Sequence, residues 1–393
     1  MADSSLTLTQ SHLTEASGTM IRLVPSGPDR WQRLIDLVRG AQRELSLVYY
    51  TFAPDTAGRE LLDALTDAAG RGVTVTLMLD SFGCYETPDS FFSPLRDAGG
   101  TVLWFGTRWT PRYLIRNHQK LLIVDRHTVM SGGFNIADEY FSPISDPLGW
   151  QDIGVVLQGP AVDGACQWFD RLVEWMSVPR PRFRDLRRLI RAHSSGSGPV
   201  TWLVGGPTPR LSPWGRGLRK DLNNARSVTM SMAYFSPDAS LMRRFTQILK
   251  RGGAVDLVLP AHTDNGATIG ASRLLYSQLL KNGATLAEFM PCRLHNKLIV
   301  IDDVVLIGSS NFDVRSLYVN MELMLRIDDQ RFADYCRGLI DAQRTLSTVV
   351  TMASHKKSSN IFKRTVWALS WLVVNAIDFT ITRRLNRQNE GQG

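Results

Sequence analysis

The chain has 393 residues, a length typical of two or three domains that each bury a core. Hydrophobic residues make up 44% of it, which excludes a disordered protein. The formal net charge of +8 at pH 7 favours an anionic partner, either nucleic acid or an acidic lipid surface. The four cysteines are scattered without a C-x-x-C pair, which fits a reduced compartment and argues against structural zinc.

The N-terminal residues 1–18 are polar. They contain neither the basic segment nor the apolar stretch of a secretory signal, so no signal peptide is expected. We interpret them as a disordered tail.

Strand-like and helix-like stretches alternate from residue 19 onward. Apolar residues between Trp31 and Val38 recur with helical spacing, and residues 44–52 alternate as a strand does. Residues 55–69 predict a helix that ends at Gly70 and Gly72, and residues 73–80 predict a second strand. This alternation indicates an α/β unit.

The second half of the chain repeats this order. It predicts a helix over residues 218–225, a strand over 228–235, a helix over 239–250 and a strand over 255–260. The expected fold class is therefore α/β, with two similar domains over residues 19–178 and 200–350. Each should hold a mixed or parallel sheet flanked by helices, and the two should pack with pseudo-two-fold symmetry.

Residues 179–199 separate the predicted domains. The part over 179–191 contains six arginines with apolar residues between them, and the part over 194–199 is rich in Ser and Gly, as linkers are. Two interpretations stay open for the arginine-rich part. It is either a solvated linker helix or a basic strip that faces an anion or a membrane.

The pattern His-x-Lys-x4-Asp occurs twice. The candidate catalytic residues are its six members, His118, Lys120 and Asp125 with His295, Lys297 and Asp302. Small residues and an asparagine follow each copy, and the candidate phosphate-supporting residues among them are Asn135, Ser310 and Asn311. Residue frequencies alone predict about 0.01 such motifs in a chain of this composition. The doubled motif therefore indicates a functional site.

The spacing inside the motif favours phosphodiester chemistry. A histidine and a lysine two residues apart on a strand project to the same side, so each copy supplies half a site. Two lysines can neutralise the non-bridging phosphate oxygens, while one histidine attacks phosphorus and the other protonates the departing oxygen. Neither a metal nor another cofactor is expected. Asp125 and Asp302 close their strands at a turn, where we expect them to hold backbone amides.

An attacking histidine needs a partner on its second ring nitrogen. Each copy has one carboxylate at a similar distance downstream, Asp152 in the first and Glu322 in the second. We expect Asp152 to orient His118 and Glu322 to orient His295.

The doubled motif resembles that of the phospholipase D superfamily, over residues 19–350. Residues 159–162, 233–237, 309–316 and 320–322 are most similar to bacterial cardiolipin synthases of the shorter B type. The resemblance implies a phosphatidyltransferase that makes cardiolipin from phosphatidylglycerol, or a related donor, through a phosphatidyl-histidine intermediate. It implies His118 as nucleophile and His295 as general acid and base. It also implies a bacterial protein, peripheral or monotopic at the inner membrane.

The second copy departs from the family pattern at one point. Gly132 follows Asp125 by seven positions, whereas Gly308 follows Asp302 by six. We expect the turn after Asp302 to absorb the difference, because turns tolerate deletions better than strands do.

Other functions use similar features. A phospholipid hydrolase of the same superfamily would pass the intermediate to water. A nuclease would suit the positive charge, but an apolar C-terminal segment has no role in one, so no nucleic acid partner is expected. A non-enzymatic lipid-binding scaffold is disfavoured because both motifs are complete. No protein partner is evident.

Residues 351–393 differ in character from the rest. An apolar run over residues 365–382 contains Trp367 and Trp371 and has basic residues on both sides. Eighteen residues is the short limit for a membrane span, and Asn375 and Asp378 argue against the bilayer centre. We favour an interfacial helix on an anionic membrane surface over a terminal helix packed on the soluble domain.

Overall fold

The computed structural model describes residues 8–106, 115–179, 181–193, 198–208 and 211–377. Two eight-stranded sheets, one from each half of the chain, form the frame of this part of the protein. Helices lie against both sheets, and one hydrophobic core joins them.

The first half contributes the strands β1 His12–Ala16, β2 Thr19–Val24, β3 Glu44–Tyr49, β4 Thr74–Asp80, β5 Thr101–Phe105, β6 Leu121–Val124, β7 Thr128–Gly132, β8 Trp150–Gln151 and β9 Gly154–Gln158. Its helices are α1 Gly27–Gly40, α2 Thr56–Gly70, α3 Ser93–Asp97 and α4 Val162–Ser177, with short 3-10 turns at Asp89–Phe92 and Asp138–Tyr140. Helix α5, Phe183–His193, lies between the halves.

The second half contributes the strands β10 Val200–Gly205, β11 Ser227–Met232, β12 Phe235–Ser236, β13 Ala254–Pro260, β14 Thr285–Phe289, β15 Arg293–Leu294, β16 Lys297–Ile301, β17 Val304–Gly308, β18 Phe312–Asp313, β19 Glu322–Asp328 and β20 Ser347–Val350. Its helices are α6 Pro213–Asn223, α7 Ala239–Lys250, α8 Gly266–Lys281, α9 Val314–Tyr318, α10 Gln330–Thr345, α11 Met352–Ser358 and α12 Ile361–Trp371. The chain continues from α12 as a π-helical turn over Leu372–Ile377.

Equivalent helix ends show that the two halves fold by the same local rules. Asp55 directly precedes α2 and Asp238 directly precedes α7, and each carboxylate accepts a hydrogen bond of 2.9 Å from the backbone N–H three residues on. Such caps satisfy amides that the first helical turn leaves without partners. After each helix the chain turns back through a glycine in the left-handed region, Gly72 at φ +91° and Gly252 at φ +81°.

Seven consecutive strands of each sheet share one topology, which confirms the predicted fold class, while β1 and β20 are additional strands at opposite edges. Their strand orders are β1-β2-β9-β7-β6-β3-β4-β5 and β10-β19-β17-β16-β11-β13-β14-β20. In the first, β3 is parallel to β4 and antiparallel to β6; in the second, β11 is parallel to β13 and antiparallel to β16. Each sheet is therefore mixed, and the motif strands β6 and β16 occupy the same place in the two sheets.

One hydrophobic core is shared by the two domains. It contains Leu121 and Val155 from the first sheet together with Leu298 and Leu323 from the second. Helices α4, α5 and α10 supply further members. The two domains therefore fold as one unit, because each loses part of its core without the other.

The shorter turn of the second motif leaves the strand register intact, as expected. A three-residue turn joins β6 to β7, and a two-residue turn joins β16 to β17. Gly132 and Gly308 nevertheless end their strands at equivalent positions, because the missing residue belongs to the turn. Asp125 and Asp302 begin the turns at φ 52° and 49°, a conformation that aspartate tolerates better than most residues.

The expected disordered tail over residues 1–18 is wrong from Leu8 onward, and residues 1–7 lie outside the described part. Leu8 is buried in the shared core, and β1 pairs with β2 at the edge of the first sheet. The His12 ring stacks on Tyr335 of α10, with centroids 3.8 Å apart. Polar composition did not reveal this strand, because an edge strand can show alternate residues to solvent.

The region over residues 179–199 is more than a linker, although residues 180 and 194–197 lie outside the described part. Helix α5 buries three apolar residues in the shared core, Phe183, Leu186 and Ile190. The buried Arg187 donates from Nε to Pro207 O at 3.0 Å. A solvated helix is therefore the wrong interpretation for this side of α5. Its other arginines are exposed, and the basic strip stays a prediction.

The C-terminal segment combines features of both alternatives. Helix α12 begins at Ile361, before the predicted apolar run, and packs along α8. Trp367 is buried in that contact, whereas Phe362 and Leu369 are exposed. Within the described residues, no helix is both long enough and apolar enough to cross a bilayer. Residues 378–393 lie outside the described part.

Asp302→Ala should lower the free energy of unfolding by about 1–3 kcal/mol. The carboxylate accepts hydrogen bonds from Arg226 N and Ser227 N, and alanine leaves both donors without that partner. Urea denaturation measures the loss, with Asp303→Ala at the exposed next position as the matched control. Equal, small effects of the two changes would contradict the anchoring role of Asp302.

Candidate active site

Backbone pairing between the domains places each motif histidine. Strand β15 leads into His295 and pairs in parallel with β8 of the first domain, and His295 N donates to Gln151 O at 2.8 Å. In the reciprocal contact Asn117 forms a parallel bridge with Met321, and His118 N donates to Met321 O at 2.9 Å. The two contacts exchange the roles of the domains, as a pseudo-two-fold arrangement requires.

The histidine–carboxylate pairs therefore cross between the domains. His118 Nδ1 donates to both oxygens of Glu322, at 3.1 Å each, and His295 Nδ1 donates to Asp152 Oδ2 at 2.6 Å. The expected pairing, Asp152 with His118 and Glu322 with His295, is wrong. Both carboxylates lie at the site with exchanged partners, because each directly follows the residue whose backbone pairs with the other domain's histidine segment.

A buried arginine supports the Asp152 side of the site. Arg30 of α1 donates to the backbone carbonyls of Asp152 and Tyr140, which joins two segments around His295. Burial would raise the pKa of Asp152, but the hydrogen bond from His295 and the neighbouring cations bring that pKa below its usual value. Asp152 is therefore ionised at neutral pH.

The Glu322 side is built differently. Burial raises the pKa of Glu322 to about 8, although the Lys120 charge and a hydrogen bond from the Ser309 hydroxyl oppose the rise. Gly133 occupies the position equivalent to Ser309 in the first domain. A Cβ at Gly133 would lie 2.6 Å from Asp152 Oδ1, so a side chain there would displace the Asp152 carboxylate. The two copies thus hold their carboxylates by different means.

Both motif lysines are buried beside the histidines. Lys120 Nζ donates to His118 O and Lys297 Nζ to His295 O, both at 2.7 Å. Burial lowers the pKa of Lys120 to about 7 and that of Lys297 to about 8, while Glu322 and Asp152 oppose these shifts. The Lys297 charge also acts on His118, and the Lys120 charge on His295. Cations from both copies therefore act on one site.

The two histidines differ in their electrostatic surroundings. Burial and the lysine charges lower the pKa of His295 to about 4, against the opposing effect of Asp152. The pKa of His118 is lowered well below its usual value by burial and by the charges of Lys120, Lys297, His295 and Arg116. The main influences on His118 all favour the neutral imidazole, whereas a carboxylate favours the proton on His295.

The motif aspartates anchor turns, as expected, and their inclusion among the catalytic candidates is corrected. Asp125 accepts hydrogen bonds from the backbone N–H groups of residues 42, 43 and 44, and Asp302 accepts from those of residues 226 and 227. Both lie at the ends of their strands remote from the motif histidines. They are positioning residues for the strands that carry the site.

The remaining predicted residues are buried and contact the surrounding fold. Asn135 Nδ2 donates to Tyr140 OH at 3.0 Å, and the Ser310 hydroxyl accepts from Trp214 Nε1 at 2.9 Å. These contacts give Asn135 and Ser310 structural roles. In the second domain it is Ser309, not predicted as a site residue, that touches a histidine-bound carboxylate. Phosphate binding by Asn311 stays a prediction.

Aromatic rings that the motif analysis did not predict surround His295. The ring centroids of Tyr140 and Trp150 lie 5.1 Å from that of the imidazole, and Tyr234 lies at 6.4 Å. Aromatic rings near an imidazolium can stabilise its charge. Trp150 could have been predicted as a site residue, because it lies two positions before Asp152 in the chain.

Asp80 and Arg116 lie beside His118 and were also missed as site residues. Asp80 Oδ2 accepts from Asn117 N at 2.6 Å, which fixes the residue before His118. The Arg116 charge lowers the pKa of His118. An arginine precedes each motif histidine by two positions, as Arg116 and Arg293, and this repeated spacing was a signal in the sequence. No sequence pattern marks Asp80.

This arrangement suits transfer at phosphorus. A buried imidazole whose second nitrogen is held by a carboxylate can act as a nucleophile or as an acid and base. Two buried ammonium groups can offset the charge of a phosphodiester where water would not screen it.

Asp152→Asn should change the tautomer of His295 while leaving that of His118 unchanged, because of the two histidines the carboxylate contacts only His295. Nitrogen-15 NMR of labelled imidazoles measures this, with His295→Ala and His118→Ala to assign the signals. We also expect at least about 100-fold loss of turnover, by analogy with other histidine-orienting carboxylates. A change confined to the His118 signals would restore the pairing expected from the sequence.

Comparison with known proteins gives concordant results. A family model described as "Cardiolipin synthase, PLD-like domain" matches residues 34–173 and 218–343. The major cardiolipin synthase ClsA of Bacillus subtilis is 31% identical over 331 residues, which covers 81% of this chain and 67% of that protein. Cardiolipin synthase 1 of Staphylococcus aureus is 29% identical over 339 residues, with coverage of 84% and 68%.

A solved structure shows the same fold at lower sequence identity. Phosphatidylserine synthase of Haemophilus influenzae superposes with a TM-score of 0.68 at 16% identity, over 94% of this chain and 95% of that one. The two ranges matched by the family model each contain one histidine motif and together span more than half of the chain. The chain therefore belongs to the phospholipase D superfamily, in the family described as cardiolipin synthase, PLD-like domain, and is an enzyme of that superfamily.

Proposed function

We propose that this enzyme is a phosphatidyltransferase that makes cardiolipin from phosphatidylglycerol, or a related phospholipid donor, through a phosphatidyl-histidine intermediate. The observation that carries the proposal is the pair of crossed contacts, His118 with Glu322 and His295 with Asp152, beside two buried lysines. The relatives in Bacillus subtilis and Staphylococcus aureus, both named cardiolipin synthases, support phospholipid substrates.

In the first half-reaction His118 Nε2 attacks the phosphorus of the donor. The bond from phosphorus to the head-group oxygen breaks, and His295 gives its proton to that oxygen. Glycerol leaves when the donor is phosphatidylglycerol. The phosphatidyl group is now bonded to His118, whose Nδ1 stays in contact with Glu322.

In the second half-reaction the hydroxyl of another lipid attacks the same phosphorus. It gives its proton to His295, the bond from phosphorus to His118 Nε2 breaks, and His118 leaves as a neutral imidazole. Cardiolipin forms when the acceptor is phosphatidylglycerol. His295 ends protonated, as it began, so the cycle closes. Water in place of the lipid hydroxyl would give phosphatidic acid.

The unlike surroundings of the histidines support this division of roles. An ionised Asp152 and the rings of Tyr140 and Trp150 favour a protonated His295, which a proton donor must be. The pKa of His295 is about 4 in the free protein, and the negative charge of a bound phosphodiester opposes that depression. The cations next to His118 favour its neutral form, which an attacking nitrogen needs.

The lipid substrates place the proposed reaction at a membrane. We propose that the protein is peripheral or monotopic at the inner membrane of a bacterial cell. Its net charge of +8 suits an anionic lipid surface, and α12 exposes large apolar side chains.

Purified protein mixed with phosphatidylglycerol vesicles should yield cardiolipin and glycerol in equal amounts, measured by mass spectrometry of the lipids and an enzymatic glycerol assay. Expression in a bacterium without cardiolipin should restore the lipid. His118→Ala should abolish both results, whereas His127→Ala, an exposed histidine of the same domain, should not. Phosphatidic acid as the sole lipid product would show a hydrolase instead.

The histidine roles can be separated with a phosphatidyl ester of p-nitrophenol, whose leaving group needs little proton donation. His295→Ala should form the phosphatidyl-histidine from this donor and accumulate it, because the base for the second step is missing. His118→Ala should form none. Peptide mass spectrometry at neutral pH locates the adduct. Label on His295 in the His118→Ala protein would reverse the assignment.

A further inference from the structure

We propose that the exposed side of α12 is a docking surface for an anionic phospholipid bilayer, and that it lies beside the catalytic end of the second domain. The surface is defined by residues 361–373. It deepens the proposed function by assigning the contact through which the enzyme reaches lipids in a bilayer. Three observations support this surface: the exposure of its side chains, the packing of α12 and the charges nearby.

The surface is apolar and continuous. Its large exposed side chains are Ile361, Phe362, Val366, Leu369, Leu372 and Val373. Ile361 is 86% exposed, Phe362 74% and Leu369 57%, values far from those of a packed helix face. Residues 362, 366, 369 and 373 follow one another at steps of three or four, which places them on one side of a helix.

The opposite side of α12 is already packed on the protein. The Trp367 ring stacks on His355 of α11, with centroids 5.5 Å apart. Helices α8 and α12 approach closely at Gly270, where a Cβ would lie 2.7 Å from Ser370 Oγ. Packing therefore fixes which side of α12 faces outward, and the apolar side remains exposed with the helix in place.

The charges near the surface favour an anionic bilayer. Lys356, Lys357, Lys363 and Arg364 are exposed at or before the start of α12, and residues 351–377 contain no Asp or Glu. Basic residues next to an apolar helical face are typical of helices that lie at a membrane interface. A second copy of the chain would bring like charges together across a two-fold axis, which disfavours self-association through this surface.

The packing of α12 on α8 also relates the surface to the active site. Helix α8 starts just after Asp264, which accepts a hydrogen bond of 3.0 Å from Tyr234 OH. The Tyr234 ring lies 6.4 Å from that of His295. Gly270, near the start of α8, contacts Ser370 near the end of α12. The end of α12 thus lies toward the catalytic end of α8, and a docked bilayer would lie near the histidine pair.

The test uses the full chain with matched substitutions. Leu369→Asp places a charge in the surface. Val178→Asp makes the same kind of change at a comparably exposed aliphatic residue of the first domain, since the two side chains are 57% and 53% exposed. For the charges, Lys363→Glu with Arg364→Glu is compared with Lys220→Glu and Lys250→Glu, two exposed lysines on other helices.

Co-sedimentation with vesicles of phosphatidylglycerol and phosphatidylcholine measures binding, and a soluble short-chain phosphatidylglycerol measures catalysis without a bilayer. Leu369→Asp should weaken vesicle binding at least about tenfold and keep turnover of the soluble substrate. The double variant Lys363→Glu, Arg364→Glu should bind anionic and neutral vesicles equally. Both controls should bind as the unchanged protein does.

Equal binding by Leu369→Asp and Val178→Asp would overturn the docking surface. So would a dimer of the unchanged protein, seen by light scattering, that Leu369→Asp converts to a monomer without affecting vesicle binding. Vesicle binding that depends on Leu369, without any cardiolipin formed, would refute the proposed reaction and leave the docking surface standing.

Discussion

The crossed contacts between histidines and carboxylates are the constraint on which the rest of this structure depends. His118 takes its partner Glu322 from the second domain, and His295 takes Asp152 from the first. Neither domain holds a complete pair by itself. The shared core and the short interdomain strand pairs must therefore keep the domains in one arrangement. Because the two contacts are reciprocal, a rotation that disturbed one pair would disturb the other.

Within this symmetric frame the two copies of the motif have diverged in their supporting residues. Glu322 accepts from its histidine with both oxygens and from a serine hydroxyl, whereas Asp152 uses one oxygen at a shorter distance. Gly133 leaves room for Asp152, and Ser309 fills the equivalent space beside Glu322. Aromatic rings lie next to His295, and Arg116 lies next to His118. Two histidines with different neighbours can serve as nucleophile and as acid and base from a single duplicated frame.

The sequence predicted the parts of the protein that local patterns determine. Alternation over residues 44–52 and helical spacing over 55–69 correspond to β3 and α2, because each pattern is a property of a few neighbouring residues. The crossed pairing could not be predicted in the same way. It depends on β8 meeting β15, and these two-residue strands have no pattern of their own and lie far apart in the chain.

Local sequence patterns also could not predict the positions of residues that can be either buried or exposed. Leu8 is buried because the polar N-terminal strand lies at a sheet edge and reaches α10 of the other domain. Helix α12 is apolar on two sides, so its sequence does not show whether Trp367 or Phe362 faces the protein. The sequence does not distinguish Asp80 from other acidic residues. Its role is visible only in the structure, where it accepts a hydrogen bond from Asn117 N.

The use of lysine rather than arginine in both motifs follows from the geometry of the site. The chain contains 37 arginines and 8 lysines, yet lysine occupies the same motif position twice. Each ammonium group donates to the carbonyl of its own histidine residue at 2.7 Å, and Lys297 Nζ also lies 3.1 Å from Nε2 of the His295 ring. A Cβ at Gly133 would lie 2.8 Å from Lys297 Cδ, so the lysine side chain passes close to the backbone of Gly133.

The same burial gives the lysines an electrostatic property that arginine lacks. Their pKa values fall to about 7 and about 8, so the empty site carries less positive charge than two free lysines would. A phosphodiester that enters the site brings a negative charge and favours the protonated ammonium groups. In the proposed reaction, substrate binding would therefore draw protons to these two ammonium groups, at a buried position where charge interactions are strengthened. An arginine would stay charged in the empty site, and its burial would be compensated only after the anion arrived.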